Sequence, residues 1–492
     1  MYINLKPLTV SLTFVVSIYK FRYYYMLNFT ATYTDQYQLA MAQVYFENGQ
    51  KEHTAVFDYY FRKLPFEGGY AIFAGLEDLL EILENLKFSE EDLAYLKNQN
   101  YSKEFLDYLK NFKFSGNIMS AQEGDVLFPN RPILQVEANI IEAQLIETIL
   151  LNLLNFQTLI ATKASRMRLV AGERFLLDFG LRRAHGPGGY YASRAAIIGG
   201  FNGTSNVVAG KDFNIPVSGT MAHSFVQSYN DEISAFRAFA KGKPKECVLL
   251  VDTYNTLKSG LPNAITIGKE MEERGDQLAG IRLDSGDLAY LAKESRKMLD
   301  DASMEYVKIA ASNQLDEYVI KSLLEQQAPI DVFGVGTNLV TGDPDGALDG
   351  VYKLAESNGI PRLKISESLS KVTIPHKKQV FRMMNAKGEL IGADAITMRD
   401  ETEVTRIYDP QEVLKSLPFK NCTTEALLHL VMKNGKRTSK SRSLLEIAEY
   451  SKKRLENVPA EYKRFDNPHI YKVGISKKLK KEREQLLKKY KK

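Results

Sequence analysis

The stretch that decides the fold begins DFGLRRAHGPGG at residues 178–189 and continues GGFNGTSNVVAGKDFNIPVSGTMAHSFVQSY at residues 199–229. The apolar run RFLL at residues 174–177 precedes it and predicts a short buried strand. A carboxylate, an aromatic ring and paired cations follow that strand directly: Asp178, Phe179, Arg182 and Arg183. Side chains of these types at the end of a strand indicate a functional site.

The same pattern returns about forty residues later. Ile215–Ser218 predicts a second strand, Gly219 ends it, and Thr220 and His223 stand at the start of a helical segment. Considered one at a time, Arg182 and Arg183 could be ordinary surface charges and His223 could be a histidine that caps a helix. Taken together, these residues favour a site over that plainer interpretation.

Apolar runs alternate with helical segments throughout the middle of the chain, at a spacing of about 25–35 residues. The predicted strands are Phe175–Leu177, Ile215–Ser218, Cys247–Val251, Ile281–Leu283, Val307–Ala311 and Ile330–Val335, with another possible near Asn206–Val208. Seven such units favour a parallel barrel over an open sheet, and a barrel carries its active site at the carboxyl ends of its strands. Polar residues follow each run as that geometry requires: Asp178, Thr220, Asp252–Tyr254, Asp284–Asp287, Ser312–Asn313 and Gly334–Asn338.

The predicted fold class is α/β: an irregular parallel α/β barrel plus an α+β domain built from N- and C-terminal segments. The predicted boundaries are 26–145 for the N-terminal α+β domain, 146–365 for the barrel, 366–476 for a C-terminal segment packing with the N-terminal domain, and 477–492 for a basic terminal helix. We expect residues 1–25 to be a translated extension that is not native, with Met26 as the true start. Its apolar run, Leu8–Tyr19, is too short to cross a bilayer.

Composition narrows the class of protein. The 492 residues are 44% hydrophobic and 25% charged, which is ordinary for a globular protein. Two cysteines, Cys247 and Cys422, make no disulfide framework, so we expect a cytoplasmic protein. The net charge of +5 is concentrated in the tail 477–492, which has nine Lys/Arg and two Glu. No aromatic and basic residues interleave, so we expect neither a nucleic-acid nor a membrane partner.

Three motifs, FGLRRAHGPGG, GGFNGTSNVVAG and GTMAHSF, together resemble the nicotinate phosphoribosyltransferase family, and the resemblance runs from about Thr34 to the C-terminus. It implies an enzyme that forms nicotinate mononucleotide and pyrophosphate from nicotinate and 5-phosphoribosyl 1-pyrophosphate. That reaction is coupled to ATP hydrolysis and begins NAD synthesis from nicotinate. This chain departs from the family at His185, where we expect glutamine, and at Pro375-His376, where Pro-Gly is usual.

The resemblance also implies roles for individual residues. His223 matches the histidine that is phosphorylated by ATP, and Tyr37 matches a tyrosine that covers the substrate of a neighbouring subunit, which implies a homodimer with a shared active site. The implied nicotinate-binding residues are Tyr37, Phe179, Thr220 and Arg282. The implied phosphate- and ribose-binding residues are Arg182, Asp284, Gly336 and Thr337.

A multiply charged phosphoribosyl substrate requires cations, backbone N–H donors and Mg²⁺. The turn 334–338 is a glycine-containing strand end able to bring N–H groups to a phosphate. Asp284 and Asp287 are candidate ligands for Mg²⁺, although each fits a loop with a helix cap equally well.

Two alternatives stay open at this point. The first is a related transferase that uses nicotinamide, which lacks a carboxylate, or quinolinate, which has two and needs no ATP. The second is a non-catalytic barrel that binds a ligand. His223 in its GTMAHS setting favours the ATP-coupled enzyme over both.

Overall fold

Three large sheets and one two-stranded sheet form the framework of the protein in a computed structural model, which describes residues 29–367, 371–412 and 414–490. The predicted extension 1–25 and its proposed start at Met26 lie outside the described residues. The predicted terminal helix is described as far as Tyr490.

The first section supplies five strands and six helices. The strands are β1 Thr54–Phe61, β2 Ala71–Ile72, β3 Asn117–Ser120, β4 Val126–Leu127 and β5 Leu134–Asn139. The helices are α1 Gln36–Glu47, α2 Leu76–Asn85, α3 Glu90–Asn98, α4 Lys103–Lys110, α5 Ile140–Leu145 and α6 Glu147–Ala171. The single long helix predicted from Ile140 to Arg168 is thus two helices, separated at Ile146.

The middle section alternates strand and helix, as predicted. The strands are β6 Phe175–Asp178, β7 Gly203–Thr204, β8 Val248–Leu250, β9 Gly280–Leu283, β10 Lys308–Ser312 and β11 Val332–Val335. The helices are α7 Pro187–Ile198, α8 Val207–Phe213, α9 His223–Gln227, α10 Glu232–Gly242, α11 Leu261–Glu273, α12 Leu288–Asp301, α13 Glu317–Glu325 and α14 Thr337–Val340. All six strands pair in parallel, in the order β7-β6-β11-β10-β9-β8.

This parallel sheet is not shown to close into the predicted barrel, because its ladder of hydrogen bonds ends at β7 and β8 in the described residues. Two segments that were predicted as strands of the barrel do not form strands of this sheet. Ile215–Ser218 contributes a single bridge, between Val217 and Thr204, and Pro216 within it has no N–H to donate. Asn206–Val208 is not a strand, since the Asn206 side chain caps α8 by accepting from Ala209 N.

The last section adds ten strands and three helices. The strands are β12 Gly350–Ser357, β13 Ile360–Pro361, β14 Lys378–Met384, β15 Leu390–Met398, β16 Arg406–Tyr408, β17 Ser416–Pro418, β18 Thr423–Ala426, β19 His429–Lys433, β20 Lys436–Arg437 and β21 Lys472–Ile475. The helices are α15 Leu444–Glu456, α16 Ala460–Lys463 and α17 Lys477–Tyr490. The last of these is the predicted basic helix.

Segments from both ends of the chain share one sheet. The seven-stranded antiparallel sheet has the order β13-β12-β1-β5-β3-β19-β20, so strands of residues 54–139 are flanked by strands of residues 350–361 and 429–437. Residues 378–475 also build a six-stranded sheet of their own, β17-β16-β21-β15-β14-β18. The fold is therefore mixed α/β, with one parallel sheet beside largely antiparallel ones, while the predicted domain boundaries stay predictions.

Buried ion pairs join these modules. Arg194 of α7 donates to both oxygens of Glu123 in the first section, at 2.5 and 3.1 Å, and both side chains are buried. Asp394 of β15 accepts from Arg382 of β14 and from the Tyr471 hydroxyl, and it lies 2.9 Å from Nε of Arg131. Buried charges of this kind are costly to unpair, so they fix the modules against one another.

Within the described residues, we find no helix with the length and apolar character needed to traverse a bilayer.

Candidate active site

The end of β6 is held by a buried carboxylate. Asp178 accepts hydrogen bonds from Gly180 N at 2.8 Å, from the Ser193 hydroxyl of α7 at 2.7 Å and from the Thr204 hydroxyl of β7 at 2.8 Å. Burial raises the pKa of Asp178, opposed by these three donors. Asp178 therefore positions the loop that follows β6. Because it is buried, we do not expect it to contact a substrate.

Phe179 lies across the sheet over the neighbouring strand. A Cβ at Gly334 of β11 would stand 2.5 Å from the Phe179 ring, so only glycine leaves room for the ring at this point. The Phe179 N–H donates to Val335 O at 2.8 Å. The guanidinium carbon of Arg282 lies 6.0 Å from the centre of the ring, which brings a cation beside its face.

Arg282 of β9 is the centre of a polar cluster. Its Nη1 donates to the Thr220 hydroxyl at 2.6 Å and to Met221 O at 3.2 Å, and its Nε donates to the Ser312 hydroxyl at 3.1 Å. Its Nη2 lies 3.5 Å from Asp284 Oδ2. The Arg282 side chain is 14% exposed, so a mostly buried cation is held in one orientation with a small open face.

His223 is the first residue of α9 and faces the same carboxylate. Its Nδ1 lies 3.1 Å from the Thr253 hydroxyl, and its Nε2 lies 3.7 Å from the same Asp284 oxygen that faces Arg282. The imidazole is 40% exposed, so it is oriented from two sides and still open to a ligand. The convergence of His223 and Arg282 that the strand-end pattern implied is present.

Asp252 is a member of this cluster to which the sequence assigned no role. One of its oxygens, Oδ2, accepts from Asp284 N at 2.8 Å and from the Ser285 hydroxyl at 2.6 Å. The other, Oδ1, is buried without a hydrogen-bond partner in the described residues. The sequence does place Asp252 directly after a predicted strand. Aspartates with a purely structural role in loops are common at that position, so the position alone does not indicate a functional residue.

The two carboxylates proposed for magnesium differ in the structure. Asp284 points into the cluster and accepts from the Ser312 hydroxyl. Asp287 is exposed, and its carboxylate caps α12 by accepting from Tyr290 N at 3.0 Å. No group of three or more metal-ligating side chains occurs among the described residues. Mg²⁺ is commonly held by one or two carboxylates together with substrate phosphates, and the unpartnered Asp252 oxygen beside Asp284 fits that donor set.

The predicted phosphate-binding residues lie at the adjoining strand ends. Arg182 belongs to the turn after β6, and Gly336 and Thr337 follow β11, which pairs with β6. The two turns pack closely, since a Cβ at Gly180 would stand 2.1 Å from a methyl of Val340. Arg182 and Thr337 are both exposed. Among the described residues, no hydrogen bond or ion pair joins either of them to His223 or Arg282.

Tyr37 lies apart from all of them on α1. Its side chain is 50% exposed, and burial, followed by the nearby charges of Glu147 and Asp35, raises its pKa. No contact joins Tyr37 to the cluster around Arg282 within the described chain. His185, the departure noted in the sequence, is likewise exposed and outside that cluster.

Comparison with known proteins identifies the family. Three family models match consecutive parts of the chain: the nicotinate phosphoribosyltransferase N-terminal domain at residues 32–155, the family itself at 175–404, and its C-terminal domain at 377–483. The nicotinate phosphoribosyltransferase of Bacillus subtilis (strain 168) is 46% identical, covering 90% of this chain and 92% of that protein. The one from Dictyostelium discoideum is 38% identical, covering 92% and 87% respectively.

Solved structures agree with the sequence comparisons. Human nicotinic acid phosphoribosyltransferase superposes with a TM-score of 0.83 at 31% identity, covering 92% of this chain and 99% of the human chain. A nicotinate-nucleotide pyrophosphorylase from Pyrococcus furiosus shares the fold, with a TM-score of 0.68 at 22% identity. The recognition made from the three motifs is confirmed: the chain belongs to the nicotinate phosphoribosyltransferase family.

Proposed function

We propose that the chain transfers a 5-phosphoribosyl group from 5-phosphoribosyl 1-pyrophosphate to nicotinate, releasing pyrophosphate, as the first step of NAD synthesis from nicotinate. The relatives that match nine-tenths of the chain carry this activity in their names. The observation that carries the proposal is the convergence of Arg282, Thr220 and His223 on one open patch beside Phe179. A cation, a hydroxyl and an aromatic face are what a flat pyridine carboxylate requires.

In this proposal Arg282 and Thr220 receive the carboxylate of nicotinate while the Phe179 ring lies against the pyridine. Holding the ring there presents its nitrogen to the ribose. The bond from the ribose carbon to pyrophosphate breaks and a bond from that carbon to the pyridine nitrogen forms, so no proton has to move. The reacting ribose is cationic in the transition state, and pyrophosphate departs with negative charge. The protein therefore contributes fixed charges more than a base.

The pyrophosphate and ribose phosphate are assigned to the neighbouring strand ends. The turn at Gly336 and Thr337 offers N–H groups and a hydroxyl, and the exposed guanidinium of Arg182 stands on the adjoining turn. Asp252 and Asp284, in the cluster around Arg282, would hold Mg²⁺. Bound there, the ion would neutralise negative charge on the phosphates.

His223 is the proposed acceptor of a phosphoryl group from ATP. An imidazole nitrogen forms a bond to the γ-phosphorus while the bond to the β-bridging oxygen breaks, and ADP leaves. Thr253 orients the ring through Nδ1, and the carboxylate of Asp284 stabilises it on the other side. A phosphoryl group at this point would add negative charge beside Arg282. That change would couple ATP hydrolysis to substrate binding in the same cluster.

The parallel sheet serves the site as an incomplete barrel in this proposal. Side-chain hydrogen bonds connect the two edges of the sheet where backbone hydrogen bonds do not. Thr220, which follows β7 in the chain, accepts from Arg282 of β9. His223 bonds to Thr253, which follows β8. A cytoplasmic location is also proposed, because both cysteines, Cys247 and Cys422, are free thiols.

A competition assay tests the transfer. Purified protein is offered nicotinate, nicotinamide or quinolinate, each with 5-phosphoribosyl 1-pyrophosphate, with and without ATP, and the mononucleotide is measured. We expect nicotinate to be preferred and its turnover to be faster with ATP. Preference for nicotinamide or quinolinate would support the related transferases instead, and absence of turnover would support a ligand-binding protein.

His223→Ala is expected to abolish the stimulation by ATP, so that the ratio of rates with and without ATP falls to about one. ATP labelled on its γ-phosphate should label the wild-type chain and not the variant. Cys422→Ser, at a free thiol distant from the strand ends, serves as the matched control. Persistent stimulation in His223→Ala would overturn the phosphohistidine assignment.

The exposed position of Tyr37 supports an active site shared between two subunits. Tyr37→Ala and His223→Ala chains are each expected to lack ATP-stimulated activity as separate oligomers. When the two are co-expressed, mixed oligomers should regain activity, because one of their sites combines an intact Tyr37 with an intact His223. No recovery in mixtures shown by mass to contain both chains would contradict a shared site.

A further inference from the structure

A cavity lies where the N-terminal sheet, the loop before β14 and the basic helix α17 meet, away from the strand ends described above. Its volume is about 30 Å³, and its polar lining includes Asp58, Tyr60, Arg131, Thr373 and Arg483. That volume holds about two water molecules or one small inorganic anion. Both the first and the last sections of the chain contribute to the wall.

Two lining residues have partners of opposite charge, but the partner of Arg131 is shared with a second guanidinium. Asp58 of β1 accepts from Lys378 Nζ at 2.8 Å and from Gln135 Nε2 at 2.7 Å. Asp394 lies against Arg131 but also receives both bonds from Arg382, so one carboxylate faces two guanidinium groups. Arg131 is 1% exposed, and its Nη1 has no hydrogen-bond acceptor in the described part of the chain.

Arg483 on α17 forms no ion pair within the described residues, although the charge of Glu484 acts on it. Its side chain is buried, and its partners are carbonyl oxygens: Nη1 donates to Pro410 O at 2.7 Å and Nε to Thr373 O at 3.4 Å. No carboxylate lies within 4 Å of it among the described residues, since its neighbour Glu482 faces His376 and Glu484 faces Lys480. Burial lowers the pKa of both Arg131 and Arg483, as expected for cations that lack sufficient counter-charge.

We propose that this cavity is a binding site for a small inorganic anion of about halide size, held between Arg131 and Arg483. An unpaired buried guanidinium and an unused N–H donor on the wall of one small cavity are both satisfied by a single negative charge. The same arrangement disfavours a cation, because Asp58, the carboxylate among the described lining residues, is already paired with Lys378. The anion would tie α17 to the N-terminal sheet and so stabilise the junction of the modules.

Bromide is the probe for the test. Thermal unfolding of the full chain is followed while sodium gluconate is exchanged for sodium bromide at constant ionic strength in chloride-free buffer. We expect the Tm of the wild type to rise and saturate, because a ligand that binds only the folded state stabilises it. Anomalous scattering from crystals grown in bromide should place the ion beside Arg131 and Arg483.

Variants separate this site from the catalytic one. Arg483→Gln should weaken the apparent affinity for bromide by about tenfold or more, as expected for the loss of one charge-assisted hydrogen bond. Arg483→Lys, which keeps the charge, should retain part of the effect. Arg282→Gln should leave the stabilisation unchanged. A rise of equal size in Arg483→Gln, or anomalous maps of wild-type crystals that show water only in the cavity, would overturn the proposal.

Discussion

Arg282→Gln is expected to lower kcat/KM for the transfer by about 100- to 1,000-fold, the loss typical of removing one preorganised charge-stabilising group. Arg282 contacts Thr220, Ser312 and Asp284 together, so its removal takes away a cation and also releases the groups around it. Glutamine cannot restore the charge beside Phe179. Steady-state kinetics with nicotinate, at saturating 5-phosphoribosyl 1-pyrophosphate and ATP, measure the effect.

Two further variants test whether the loss of activity comes from the charge and the hydrogen bonds of Arg282. Arg282→Lys keeps the charge but cannot donate to Thr220 and Ser312 at once, so we expect it to recover only part of the activity. Arg237→Gln removes a surface arginine that pairs with Glu270, and it should match the wild type. Activity in Arg282→Gln within tenfold of the wild type would show that the carboxylate of nicotinate is held elsewhere.

Asp394→Ala is expected to destabilise the fold by about 3–5 kcal/mol, the range measured when one partner of a buried ion pair is removed. Asp394 is the shared partner of Arg131 and Arg382 and the acceptor for the Tyr471 hydroxyl, and it is fully buried. Its removal leaves two guanidinium groups facing each other in the interior. The midpoint of urea unfolding, read by circular dichroism, measures the change.

Asp400→Asn is the matched control for that experiment. Asp400 also pairs with a cation, Lys478, at 2.6 Å, but its side chain is 67% exposed. Exposed pairs contribute little to stability, so the unfolding midpoint should stay at the wild-type value. Equal shifts of the unfolding midpoint in the two variants would contradict the view that an ion pair stabilises this protein mainly when it is buried.

Much of the parallel sheet could be predicted from sequence because its buried strands are short, mostly apolar segments that alternate with helical ones. Phe175–Leu177, Ile281–Leu283 and Val307–Ala311 fall within or overlap the observed strands for that reason. Closure of the sheet could not be predicted, since it depends on hydrogen bonds between segments that are distant in sequence. A run such as Ile215–Ser218 looks apolar and extended whether or not a neighbouring strand pairs with it.

The cluster around Arg282 could be predicted in part for a similar reason. Residues at the carboxyl ends of parallel strands gather at one edge of the sheet, which is why His223, Arg282 and Asp284 could be named. Asp252 was passed over because its distinguishing feature, a buried oxygen with no partner, exists only in three dimensions. At His376, the usual glycine of the family is explained by a positive φ of 72°, a backbone conformation that the sequence alone does not reveal.

The pairing of β19 with β3 has a consequence for how the protein is made. Translation delivers β3 long before residues 429–433, which cover its open edge. Throughout that interval β3 presents unpaired N–H and C=O groups to any other extended chain. A nascent chain arrested before residue 429 would therefore expose a strand edge that can pair with other chains and promote aggregation.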